Sequence, residues 1–206
     1  IDQILYSGSM KCLLLAMAVS IGTLASAVNL ITNGSFENPV VNAPFSTVLA
    51  GSPTLSGWTV TGNSVDIVSQ TFNPTYPARD GVQCIDLAGS PGPGMISQSF
   101  ATVVNQQYIF GWSGSSNGSS QTMEVYLNGN FLFSFNTPSQ GTWTDYSWAF
   151  TATSTTSSIG FGSPSTGFAG ALVDRVFAEE VVPEPASLLA LGAGLALVRR
   201  RKQAHI

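Results

Sequence analysis

Few side chains in this 206-residue chain can do chemistry, and most of those are acidic. Between Val28 and Val182 the only bases are Arg79 and Arg175. They stand against Glu37, Asp66, Asp80, Asp86, Glu124, Asp145, Asp174, Glu179 and Glu180, two against nine, a balance of −7. The one histidine, His205, lies in the C-terminal tail. The body therefore has no residue for a histidine general base, a histidine zinc ligand or a Ser-His-Asp triad. Neither common Gly-rich phosphate loop is present. A body of this charge is a poor partner for nucleic acid and for anionic membrane surfaces. Oxygen ligands remain, and among metals they suit calcium.

Carboxylates could also work in pairs on a glycosidic bond. The candidates are Asp66, Asp80 and Asp86; Asp66 and Asp86 alternate with apolar residues and can share a sheet face. Capping and sheet-edge hydrogen bonding is the competing reading of all three. Aromatic rings are the second chemical resource, because a ring face stacks on the C–H face of a pyranose while amides and carboxylates take its hydroxyls. Tyr76, between Pro74 and Pro77, and Trp143, after Gln140-Gly141, stand in loop-like sequence and are expected to be the exposed rings of a carbohydrate site. Tyr146, Trp148 and Phe150 share a strand face and are expected to point inward; Trp58, after the turn residue Gly57, is expected to be structural. Cys84 is the only cysteine of the body, so no disulfide can form within it. Its alternating surroundings, Val82 to Leu87, predict a buried, inert thiol.

Strands must position these groups, because no stretch of the body sustains a helical period. Short apolar runs separated by turns occur at 28–32, 57–60, 64–68, 82–87, 95–100, 107–113, 121–127, 131–135, 144–151, 158–161 and 170–179. Asn128-Gly129-Asn130 is a hairpin signal, and Ser90-Pro91-Gly92-Pro93-Gly94 is a turn cluster. This spacing predicts an all-β protein, a sandwich or jelly roll of about eight strands. Asn33-Gly34-Ser35 and Asn117-Gly118-Ser119 fit the glycosylation pattern but are explained as Asn-Gly turns.

The two ends have a different character. Met10-Lys11, the apolar core Cys12 to Leu24 and Ala25-Ser26-Ala27 read as a secretory signal helix with removal after Ala27; residues before Met10 read as upstream sequence. At the other end Pro183-Glu184-Pro185 precedes an apolar run from Ala186 to Val198 and the cluster Arg199-Arg200-Arg201-Lys202. As a helix that run reaches roughly 20 Å, short of the roughly 30 Å hydrocarbon core. The basic cluster should stay cytoplasmic, with the bulk of the chain outside. The expected division is residues 1–27, upstream residues and signal; 28–178, the β-domain; 179–185, a linker with Pro-Glu-Pro; and 186–206, a short apolar helix with a basic tail.

This C-terminal order of Pro183, Glu184 and Pro185, apolar helix and Arg199, Arg200 and Arg201 resembles the PEP-CTERM sorting signal. The resemblance implies handling by the secretion machinery and exosortase of a Gram-negative bacterium. Membrane contact would be confined to the C-terminal segment before processing, with final display at the cell surface or in the extracellular matrix. Asn29 to Glu37, Gly57-Trp58 and Ala171 to Val176 resemble the opening strand, the Gly-Trp and the closing strand of galactose-binding-like jelly rolls, including carbohydrate-binding modules. Gly57 to Asp66, Asp80 to Gly89 and Ile96 to Phe100 are similar to the bacterial choice-of-anchor C family, whose layout is shared with plant cell-wall domains of unknown function. The jelly-roll resemblance implies that the first and last strands lie together, with Glu37 and Asp174 as ligands of a structural Ca²⁺; solvated or hydrogen-bonded acids are the alternative. Three functions follow from these readings. One is a binder of extracellular polysaccharide, one a structural or adhesive matrix protein without a specific sugar, and the last a glycan hydrolase. The lack of catalytic residues favours a non-enzyme.

Overall fold

The computed structural model describes residues 28–182. The signal segment, Pro183-Glu184-Pro185, the apolar tail and the Arg199–Arg201 cluster lie outside the described residues. Among the described residues eleven strands occur in the order β1 (Phe45–Leu49), β2 (Thr59–Gly62), β3 (Ser64–Ser69), β4 (Gln83–Asp86), β5 (Gly94–Ala101), β6 (Gln107–Ser116), β7 (Thr122–Leu127), β8 (Asn130–Asn136), β9 (Thr144–Thr151), β10 (Thr156–Gly162) and β11 (Ala171–Glu180). They form a six-stranded sheet, β1-β3-β4-β11-β6-β9, and a five-stranded sheet, β2-β5-β10-β7-β8. Every neighbouring pair is antiparallel.

The core lies between the sheets and follows from alternation. Val65 and Ile67 of β3, Ile85 of β4, Phe110 and Trp112 of β6, and Val173 of β11 point inward from one sheet. Ile96 and Phe100 of β5, Met123 and Val125 of β7, and Ile159 and Phe161 of β10 meet them from the other. The residues between these positions face outward by the period of two. The β7–β8 hairpin turns at Asn128 and Gly129, both with positive φ (52° and 74°), as the Asn-Gly signal predicts. Tyr146 stacks on Trp112, and Tyr146 and Phe150 pack against the core as expected, whereas Trp148, against Phe133 on this edge strand, is 42 % exposed.

Eleven strands stand where about eight were expected, and two assignments differ from the sequence reading. Residues 28–32 do not form a strand; an amide side chain takes the place of the ladder there. Asn29 Oδ1 accepts from the N–H of Ile31 (2.9 Å) and of Ala178 (3.1 Å), which leaves Leu30 as the one backbone donor in this stretch to reach β11. The sequence reading also missed β1. Its residues Phe45, Thr47 and Leu49 are apolar or β-branched on the outward side, so the apolar/polar contrast that marks a half-buried strand is absent.

The opening motif holds the fold together. Gln98 exchanges two hydrogen bonds with the backbone of Thr32 (2.7 and 2.9 Å). Asn33 Oδ1 accepts from Asn38 N, and the Trp58 indole N–H donates to the Asn33 carbonyl at 3.1 Å. Gly34 is pressed against the Val176 carbonyl so closely that any Cβ would overlap it. The motif at 29–37 is thus spent on tying this segment to β5, to Trp58 and to β11.

Candidate functional site

The outward face of the six-stranded sheet gathers most of the body's acids. Strand register places Thr47, Asp66, Asp86, Leu172 and Ser115 in one row across β1, β3, β4, β11 and β6. One pleat further along, Phe45, Val68 and Cys84 are in register, and Asp174 pairs with Ser113, which pairs with Asp145. Asp66 and Asp86 are direct cross-strand partners, so they share a face as their alternation predicts.

The β3–β4 connection folds over this face. Tyr76 and Trp143 both pack on a second small apolar cluster formed by Val68, Cys84 and Leu172. The thiol of Cys84 is sealed there, and burial, reinforced by the nearby carboxylates, pushes its pKa up, as expected of an inert cysteine. The Trp143 indole N–H donates to the Pro77 carbonyl at 2.8 Å, and Gln140 Nε2 donates to the Thr75 carbonyl at 2.8 Å. Trp143 is therefore half-buried and occupied in pinning the covering loop, not presented as a free ring.

Tyr76 has a different setting. Its hydroxyl donates to Asn117 Oδ1 at 2.7 Å, and Asn117 Nδ2 donates to Asp86 Oδ2 at 2.7 Å. Asp86 Oδ1 accepts from the N–H groups of Ala88 (2.9 Å) and Gly170 (3.1 Å). This relay runs along a cleft of about 270 Å³, walled by the rings of Phe45, Tyr76 and Phe168, with Asp66, Asp86 and Asn117 among its polar groups. Phe45 is 54 % and Phe168 65 % exposed, large apolar areas to leave in water. Burial pushes the Asp86 carboxyl up to about 7, over the lowering effect of its three donors, and Asp66 opposite adds to the rise. Burial also raises Asp66, opposed by the Thr47 hydroxyl, which donates to its Oδ1 at 2.6 Å. Every hydrogen bond to Asp86 comes from an N–H donor, so this carboxylate is built to hold the cleft wall in place.

The sequence indicated Tyr76 but not Phe45, Phe168 or Asn117. Phe168 stands in the Ser/Gly-rich turn before β11, and Asn117 reads as an ordinary Asn-Gly turn. Nothing in local sequence announces that these two meet Tyr76. Asp80, the remaining member of the acid trio, lies on an exposed loop away from the Asp66–Asp86 pair, where its backbone N–H donates to Asp174.

Glu37 and Asp174 act on one loop. Asp174 Oδ2 accepts from the N–H of Arg79 (2.7 Å) and Asp80 (2.9 Å), and its Oδ1 from Arg175 N (2.6 Å). Glu37 Oε1 accepts from Val82 N and Gln83 N, each at 2.8 Å. Together they clamp the turn 79–83. Asp174 is fully buried, and burial pushes it up to about 7 in spite of the three N–H groups. This arrangement does not fit a Ca²⁺ ion held by the pair. Three of the four carboxylate oxygens already face N–H hydrogens, whose partial positive charge occupies the direction a cation would need. Among the described residues no group of three or more His, Cys, Asp or Glu is placed to hold a metal.

Both arginines are drawn to a third place. Arg79 bonds Asp145 in fork fashion (2.9 and 3.3 Å), and Arg175 reaches the same carboxylate at 3.4 Å. These groups are exposed; the Arg79 hydrogen bond in particular keeps the Asp145 pKa below the ordinary range. The cleft beside Tyr76 is left with no basic residue in its walls.

Comparison with known proteins agrees with this architecture. Residues 29–178 match a family described as a protein of unknown function, DUF642. Residues 181–202 match the PEP-CTERM protein-sorting motif, so the resemblance read from the tail holds. No curated protein matches the chain. Among solved structures, a family 61 carbohydrate-binding module in complex with β-1,4-galactotriose is similar at a TM-score of 0.50 and 14 % identity, over 75 % of this chain and 99 % of that one. A family 4 carbohydrate-binding module has a TM-score of 0.45 and 18 % identity, covering 73 % and 99 % of the two chains. A family 35 module from Clostridium thermocellum has a TM-score of 0.43 and 16 % identity, covering 65 % and 97 %. The fold is a jelly-roll β-sandwich like that of the family 61 module.

Proposed function

The chain belongs to the DUF642 family, and we propose that this member is an exported, exosortase-sorted surface protein that binds extracellular polysaccharide through the cleft beside Tyr76. The sorting motif at 181–202 and the signal-like N-terminus support the destination. One observation carries the binding role: three rings, Phe45, Tyr76 and Phe168, converge on a carboxylate–amide relay in a single cleft. Rings offer stacking area to a pyranose, and the relay offers fixed acceptors and donors to its hydroxyls. About 270 Å³ is at the small end for ligand pockets, which suits one sugar unit of a chain that continues into solvent. Asp86, held by three N–H donors, supports a binding role over turnover.

The test is retention on immobilised polysaccharides. Phe168→Ala and Phe45→Ala remove exposed rings, so the melting temperature should stay within a degree or two while binding weakens about tenfold, the loss of roughly 1–2 kcal/mol of ring contact. Unchanged retention in both variants would remove the cleft from the binding surface. A protein that binds no glycan but still adheres in matrix would be structural.

A further inference from the structure

We propose that the sugar unit favoured by this cleft is cationic, a hexosamine with a free ammonium group, in preference to a neutral hexose, an N-acetylated hexosamine or a uronate. This rests on the reading of the cleft as a sugar site and adds the charge of the ligand.

The argument starts from what faces the ligand. Asp66 and Asp86 are opposed across β3 and β4 with no base in the cleft. Burial keeps Asp86 largely in its neutral form below about pH 7, so Asp66, the more exposed of the two, is the acid left to pair with a cation. The body does possess two guanidinium groups, and both bond Asp145 at the β9 end of the sheet. The acidic pair is thus left without a resident counter-ion. Thr47 donates to Oδ1 of Asp66 and the Ser90 backbone also stabilises its charge, but Asp66 is only half-buried, so part of the carboxylate stays within reach of a ligand.

The rings point the same way and are independent of the acids. Phe45, Tyr76 and Phe168 line the cleft, and the face of an aromatic ring attracts an ammonium group as well as C–H bonds. A ligand with a carboxylate would meet two acids and three rings and find no cation. An acetylated amine has the same ring and linkage but no charge, so it isolates the proposed interaction.

The experiment uses the full chain and four oligosaccharide probes of equal length: fully deacetylated chitohexaose, N-acetylated chitohexaose, cellohexaose and hexagalacturonate. Affinities are measured by calorimetry at pH 6 and 0.15 M salt, where the attraction of the acidic body as a whole is screened over about 8 Å. The deacetylated probe should bind at least tenfold more tightly than the acetylated one, and the uronate most weakly. Asp66→Asn should bring that ratio to within about threefold of one. Glu180→Gln, an exposed acid at the opposite end of β11 from Leu172, the partner of Asp86, should leave the ratio unchanged. Equal affinity for both chitohexaoses overturns the inference and leaves the sugar site standing. A preference that survives Asp66→Asn, or falls equally with Glu180→Gln, also overturns it, since the attraction would then belong to the overall charge. Failure of all four probes to bind overturns the sugar site itself.

Discussion

Replacing Asp86 by asparagine should flatten the dependence of stability on pH. An aspartate ordinarily titrates near 3.8, and burial brings this one to about 7 in the folded protein. Between these values the folded state keeps a proton that the unfolded state has released. Unfolding then expels a proton, so stability falls as pH rises from about 4 to about 7 and levels off above. A difference of about three pH units corresponds to roughly 4 kcal/mol at about 1.36 kcal/mol per unit. Asp86 is 1 % exposed, so solvent screening removes little of this. Asp174, also brought to about 7, adds a fall of the same sign. In Asp86→Asn the amide oxygen can still accept from Ala88 and Gly170. Asn117 can turn its own amide over, accept from the introduced NH₂ and donate to the Tyr76 oxygen. The fold should therefore survive while one of the two titrations disappears. The assay is urea unfolding of wild type and variant in half-unit steps from pH 4.5 to 8. Wild type should lose about 2–4 kcal/mol more than the variant across the window. Parallel profiles would refute the reasoning, because Asp86 would then not carry a proton into the folded state.

Two further outcomes test the clamp on the turn 79–83. Gly81→Ala should lower stability by about 2 kcal/mol or more in a thermal melt, because Gly81 has φ of +71° and an added Cβ would overlap the Glu37 carboxylate; a wild-type melting temperature would show that the turn is not held as described. Melting curves in millimolar calcium and in chelator should coincide, since Glu37 and Asp174 already accept from backbone N–H groups; a rise of several degrees with calcium would mean that these oxygens are free to bind it.

The fold was legible in the sequence where residue alternation had one buried side. Met123 and Val125 against Thr122 and Glu124 announce β7, and Asn128-Gly129 announces its turn. Legibility failed at 28–32 and at β1. At the first, the Asn29 side chain substitutes for a ladder; at the second, both faces of the strand carry similar residues. The candidate site was half legible. Tyr76 could be singled out as a ring between prolines, and Asp66 and Asp86 as residues sharing a face. Trp143 looked equally exposed in sequence, yet its indole N–H is committed to the Pro77 carbonyl.

By itself the sequence determined the charge of the body, its lack of histidine and disulfide, its β-rich pattern and its C-terminal address. These are properties of composition and short-range order, and no contact is needed to read them. Only the tertiary structure decided what each acid does. Glu37 and Asp174 became clamps because the turn 79–83 offers them N–H groups, and Asp145 took both arginines because β9 lies beside β6 next to β11. Asp66 and Asp86 were left facing three rings without a counter-ion, because sheet order brings β1, β3 and β4 together under the loop that carries Tyr76. A carboxylate's role is set by the donors within about 3 Å of it, and most of those donors come from parts of the chain tens of residues away.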